Sequence, residues 1–139
     1  MSQILYQRLA DELLPLANKF YKQQRSAMRV GRSEQVWVAQ HAEIIAACCL
    51  KPVADGHWLT ALLVAREQRQ QGIASQLLNT LQAKNPGAIW LFCAPELLGF
   101  YQRLGFALCH DVPAALAERL LRYQRKQPLL ALATKPECG

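Results

Sequence analysis

Nowhere in this sequence do apolar residues run for the ~18 positions that a bilayer-spanning helix needs, so no membrane segment is expected. The first twelve residues carry Arg8, Asp11 and Glu12 and lack an uninterrupted apolar stretch, which argues against a secretory signal and for a cytoplasmic location. Paired cysteine motifs are missing as well. The five cysteines are odd in number and no two stand in C-x-x-C spacing, so neither a disulfide framework nor a metal site is expected. Repeats, low-complexity tracts and linkers are absent. With 52% hydrophobic and 19% charged residues the composition excludes a disordered chain. The 139 residues therefore read as one domain, residues 1–139, with a frayed tail from about 135.

What the chain has in excess is positive charge. A formal charge of +6 and a pI near 9.3 favour anionic partners: nucleic acid, an acidic protein surface or a phosphate-rich cofactor. The basic residues are spread out, apart from Arg119, Arg122, Arg125 and Lys126. A nucleic-acid reader more often shows one dense stripe with interleaved aromatics, so nucleic acid is not the expected partner. Cys48 and Cys49 stand side by side in an apolar run, where they would face opposite sides of a strand as buried thiols.

Hydrophobic periodicity predicts an alternation of short elements. Strands are expected at 4–9, 35–40, 43–50, 58–64, 88–93, 106–109 and 129–133, and helices at 13–24, 72–84, 96–104 and 113–125. Residues 29–33 read as a loop, 52–56 as a turn, and Asn85, Pro86 and Gly87 as a helix stop. Six or seven strands interrupted by about four helices indicate an α/β fold (mixed α+β), a mixed sheet with helices on both faces. The strand at 129–133 is expected at a sheet edge, where it could pair with a second copy into a homodimer.

The informative stretch is residues 58–74: a buried strand, a polar loop, then a helix that opens at Gly72. The first turn of a helix leaves four backbone N–H groups without an internal acceptor. Ser, Thr, Asp or Asn commonly caps them, and none occurs between residues 66 and 72. A phosphate would satisfy these donors, Gly72 would let it approach the backbone, and Arg69 would add charge-assisted bonds. Water, or a weak cap from Glu67, Gln68 or Gln70, would serve as well. Neither a Gly-x-x-x-x-Gly-Lys-Ser/Thr loop nor a Gly-x-Gly-x-x-Gly turn is present, which argues against nucleoside triphosphates and dinucleotides.

Leu62, Leu63 and Val64, followed by Arg69, Gln70, Gln71, Gly72, Ile73 and Ala74, resemble the acetyl-CoA signature of the GCN5-related N-acetyltransferase (GNAT) superfamily, Arg/Gln-x-x-Gly-x-Gly/Ala. Downstream, residues 99–106 resemble the family's Phe-Tyr-x-x-x-Gly-Phe motif through Phe100, Tyr101, Gly105 and Phe106. The resemblance implies a sheet whose two central strands splay at the cofactor site. It further implies that the backbone of residues 62–64 pairs with the pantetheine arm. Amides of residues 69–74, with Ser75, would hold the pyrophosphate. The implied activity is transfer of an acyl group, acetyl first of all, from acetyl-CoA to a primary amine by direct attack, with a small molecule as the favoured acceptor. No metal takes part.

Tyr101 matches the family's general acid for the departing thiolate; otherwise it is an aromatic packed beside Phe100 and Phe106. Two departures stand out. Thr60, Ala61 and Leu62 offer no carboxylate where many members carry a glutamate base, which leaves His57 as a distant candidate or simply a turn histidine. Residues 93–96 lack the asparagine that often bonds the cofactor. Both departures leave room for a different class of function, a module that binds acetyl-CoA and regulates a partner protein without transferring the acyl group.

Overall fold

The pattern of small and β-branched residues from Gln35 onward becomes an antiparallel hairpin, and the rest of the sheet extends from it. The computed structural model describes residues 3–31 and 34–134. In chain order the strands are β1 (Leu5–Arg8), β2 (Gln35–His41), β3 (Glu43–Val53), β4 (Gly56–Val64), β5 (Ile89–Cys93), β6 (Phe106–Leu108) and β7 (Leu130–Thr134). The helices are α1 (Leu14–Gln23), α2 (Ile73–Lys84), α3 (Leu98–Arg103) and α4 (Ala114–Gln124). The strands follow the order β1-β2-β3-β4-β5-β7-β6 in a seven-stranded mixed sheet. Its β4–β5 pair is parallel, whereas β1–β2, β2–β3, β5–β7 and β6–β7 are antiparallel. The expected α/β architecture is thus observed.

Two expectations need correction. The strand read as ending at residue 50 runs on to Val53 through Pro52, and the turn shrinks to residues 54–55, with Ala54 in the left-handed region at φ 51°. Pro52 is exposed near the strand's end, a place where a missing N–H can be tolerated. The strand expected at an edge, β7, lies between β5 and β6, bonding Trp90↔Ala133 on one side and Phe106↔Thr134 on the other. Local pattern cannot reveal this, because the chain crosses from β5 to β6 through α3 and leaves between them the place that β7 fills. Among the described residues the sheet edges are β1 and β6. Smaller shifts occur at helix starts: Pro113 is the N-cap of α4 rather than its first-turn residue, and single 3₁₀ turns precede α1 and α3. The expected tail from 135 lies outside the described residues.

By contacts the chain divides into two compact units. The first holds β1, α1, β2, β3 as far as Lys51, β4 from Leu59, and α2. Its core is Ala17, Phe20 and Tyr21 from α1, residues 36–39 and 45–50 from the hairpin, and Ile73, Leu77, Leu78 and Leu81 from α2. Those four α2 residues recur at helical spacing and form one buried stripe. The helix stops at Asn85, a buried polar residue whose amide donates to the Leu81 carbonyl at 2.9 Å. In this way the side chain satisfies one carbonyl that the helix end leaves open.

The second unit holds the start of β4, then β5, α3, β6, α4 and β7. Trp58, Trp90 and Leu116 form its centre, with Val53, Phe92, Val112 and Ala133 packed around them. Gly56 is required here, since a Cβ would collide with the Ala88 carbonyl oxygen and the Trp90 ring. Arg119 lies over the Trp58 ring at 4.9 Å and donates to the Tyr123 hydroxyl at 3.4 Å. The first arginine of the basic helix is therefore engaged within its own unit.

Candidate functional site

Within the first unit, β4 carries a distortion between its buried start and its half-buried end. Ala61 has φ 56° in the middle of the strand, a conformation that breaks the alternation of side chains. Its carbonyl turns to α1, where the Tyr21 hydroxyl donates to it at 2.7 Å. Tyr21 is fully buried and its hydroxyl also lies 3.9 Å from the Cys49 sulfur. Burial and the nearby thiols hold the phenol far above its ordinary pKa, so it serves as a neutral donor. Past the bulge, Leu62, Leu63 and Val64 are half-buried, in contrast with the buried Trp58 and Leu59.

The loop after β4 is tied at both ends. Ala65 donates its N–H to the Ile45 carbonyl at 2.7 Å, and Arg69 Nε donates to the Val64 carbonyl at 3.1 Å. Gln24, at the end of α1, accepts from the Arg66 N–H at 3.2 Å. The chain then passes through two left-handed residues, Gln70 at φ 66° and Gly72 at φ 75°. A Cβ on Gly72 would meet no atom within 4 Å, so the glycine answers a backbone requirement and leaves open space above the helix start. Gly72 is the N-cap of α2, and no side chain caps it. The fold-back of Glu67, Gln68 or Gln70 as a cap does not occur. Arg69, Gln70, Gln71 and Gly72 are exposed, Ile73 is anchored in the core, and Ala74 and Ser75 are half-buried. Uncapped donors, open space above Gly72 and a nearby guanidinium fit a phosphate group.

The structure also brings forward a carboxylate that sequence reasoning passed over. Glu34, just before β2, accepts a hydrogen bond from Thr60 Oγ1 at 3.3 Å and another from the Gly31 N–H. Its negative charge contributes to raising the Tyr21 hydroxyl and the Cys49 thiol, the latter pushed up to about 12 chiefly by burial. The contact spans 26 residues, and no local motif announces it. A Thr on the face of β4 that lacks its glutamate was the available signal. Arg25 and Arg29, between α1 and Glu34, are exposed.

In the second unit, Tyr101 is half-buried on α3, with edge-to-face contacts to Phe100 at 5.0 Å and Phe106 at 6.0 Å. His57 is the second residue of β4, paired with Ile89, and not a surface turn histidine. Its Nδ1 is buried without a hydrogen-bond partner, as is the adjacent Trp58 Nε1, and burial lowers the imidazole pKa. Cys93 is buried, and burial and then Glu96 raise its thiol, the opposite of an activated nucleophile. Cys48, Cys49, Cys93 and Cys109 are free thiols, and the first three are buried. Among the described residues no three His, Cys, Asp or Glu side chains gather as a metal site, and no helix is long and apolar enough to cross a membrane.

Residues 32–108 match the family model described as an acetyltransferase (GNAT) domain. No match was found among curated proteins. Among solved structures, a Staphylococcus aureus acetyltransferase of the GNAT family is similar at 15% identity and TM-score 0.67, covering 95% of this chain and 98% of that one. Tetrahymena GCN5 is similar at 15% identity and TM-score 0.69, with 94% of each chain covered. Arabidopsis thaliana Naa50, in complex with a bisubstrate analogue, CoA-Ac-MVNAL, is similar at 16% identity and TM-score 0.66, covering 96% of this chain and 99% of that one. At these identities the structures speak for the fold, and the family model speaks for the family.

Proposed function

Because this chain belongs to the GNAT acetyltransferase family and is an N-acetyltransferase, we propose that it takes acetyl from acetyl-CoA and passes it to a primary amine by direct attack, a small molecule being the favoured acceptor. The observation that carries the donor site is the uncapped start of α2 at Gly72, open above and flanked by Arg69. Backbone amides of residues 69–74, with Ser75, hold the pyrophosphate. The backbone of Leu62, Leu63 and Val64 carries the pairing with the pantetheine arm, and the Val64 carbonyl, which also accepts from Arg69, keeps a second lone pair for it. The family match draws on both compact units, which supports reading them as one acetyltransferase domain. The four free thiols suit a reducing, cytoplasmic compartment.

The thioester supplies the activated acyl group. Tyr101 delivers a proton to the departing sulfur, and its ring contacts with Phe100 and Phe106 orient the side chain for that task. An alkyl amine near pKa ~10.4 is about a thousandth neutral at pH 7.4 and must lose a proton before it attacks. Burial lowers the His57 pKa and so favours its neutral form, but His57 stands five residues before Leu62 in the chain. The test is release of free coenzyme A thiol from acetyl-CoA in the presence of primary amines. Wild type turns over, and Tyr101→Phe lowers kcat by about 10²-fold with little change in KM for acetyl-CoA. Binding of acetyl-CoA without transfer to any amine would instead favour the regulatory module.

A further inference from the structure

The Glu34 carboxylate bonds to β4 through Thr60 and is left unexplained by the donor site. Its Oε1 accepts from the Gly31 N–H and its Oε2 from Thr60 Oγ1, and these are its hydrogen bonds. Among the described residues no Lys, Arg or His nitrogen lies within ion-pairing distance, although the protein carries a net charge of +6. The 3.3 Å hydroxyl contact is at the long end for an O–H···O bond and compensates little of the charge. A half-buried carboxylate held by two neutral donors therefore keeps capacity for a cation.

Its position says which cation. Thr60 immediately precedes the Ala61 bulge, and Leu62, which begins the stretch that pairs with the acyl donor, follows about 7 Å farther along the strand from Thr60. Tyr21 and Cys49 lie on the same side, close enough to feel the carboxylate's field, and both are held neutral. Neither competes with the carboxylate for positive charge. Bulges recur where a strand must re-aim groups beside a reacting centre. Near the carboxylate, the Asn18 side chain of α1 accepts from the Val30 N–H at 2.9 Å, and the Gly31 N–H that follows is the one that donates to Glu34.

We propose that Glu34, set beside Thr60 at the bulge of β4, binds the protonated amine of the acceptor, so that the enzyme selects alkylammonium ions over neutral aromatic amines. The proposal rests on reading residues 62–64 as the donor strand. The ammonium replaces the weak Thr60 contact as the partner of Oε2 and stays bound at the carboxylate until it gives up its proton to water. The neutral amine then forms the C–N bond as the C–S bond breaks.

Wild type, Glu34→Gln and Glu34→Asp are titrated with acetyl-CoA and assayed for thiol release with n-butylamine, an ammonium ion at pH 7.4, and with aniline, neutral at that pH. The expected result has three parts. All three proteins bind acetyl-CoA equally, Glu34→Gln raises KM for n-butylamine about tenfold or more with aniline unaffected, and Glu34→Asp recovers part of the loss. Equal n-butylamine kinetics in wild type and Glu34→Gln overturn the proposal, as does an equal loss with both amines or a wild type that prefers aniline. Acetyl-CoA binding with no transfer to n-butylamine overturns it together with the transferase reading. Absent acetyl-CoA binding by wild type strikes the donor site itself.

Discussion

Tyr21 shows how a single buried hydroxyl can fix the shape of a strand 40 residues away in the chain. Its bond to the Ala61 carbonyl holds a non-glycine residue at φ 56°, a conformation that L residues enter at a cost of about 1–2 kcal/mol. Replacing Tyr21 with Phe removes the donor and keeps the ring, leaving that carbonyl unpaired. The expected loss is about 1–2 kcal/mol in urea unfolding, together with weaker acetyl-CoA binding because residues 62–64 lose their set. An unchanged unfolding midpoint would show that the bulge is held by other contacts. Residue types that act locally were legible in the sequence: Gly72, Arg69 and the missing cap predicted an open helix start, and the structure has one. Glu34 and Tyr21 were not, because each acts through a partner 26 or 40 residues away.

Among the elements, the proposed donor site leans most on α2. Ile73, Leu77, Leu78 and Leu81 bury one face, and that anchorage fixes where the free N–H groups at the other end point. Leu77 is fully buried, so Leu77→Ala should cost about 2–5 kcal/mol, read from chemical denaturation. A cost under about 1 kcal/mol would mean that the stripe is not a core face. Helical periodicity made this element readable to within a residue. Strand boundaries were less so. β3 continues through Pro52 because a residue near the end of a hairpin can do without its N–H, and composition alone reads proline as a stop. The place of β7 between β5 and β6 was hidden for another reason, since strand order depends on a crossover and not on any local pattern.

For the whole molecule, His57 links protonation to folding. Burial lowers its pKa, and its Nδ1 has no hydrogen-bond partner. The unfolded chain takes up a proton near the ordinary value of ~6.5, whereas the folded chain resists until a lower pH. Stability is therefore full above that range and declines as the pH falls through ~6.5. Thermal unfolding from pH 8 to 5.5 should show this decline, and His57→Gln should flatten it. An equal slope in the variant would assign the decline to other groups. The central claim concerns the start of α2, and calorimetric titration with acetyl-CoA tests it most directly. Wild type should bind. Gly72→Ala, which carries the same backbone strain without bulk, should bind more weakly, and a folded Gly72→Trp should not bind at all, because the indole fills the open space above the helix. Undiminished binding by Gly72→Trp, or none by wild type, would contradict the account.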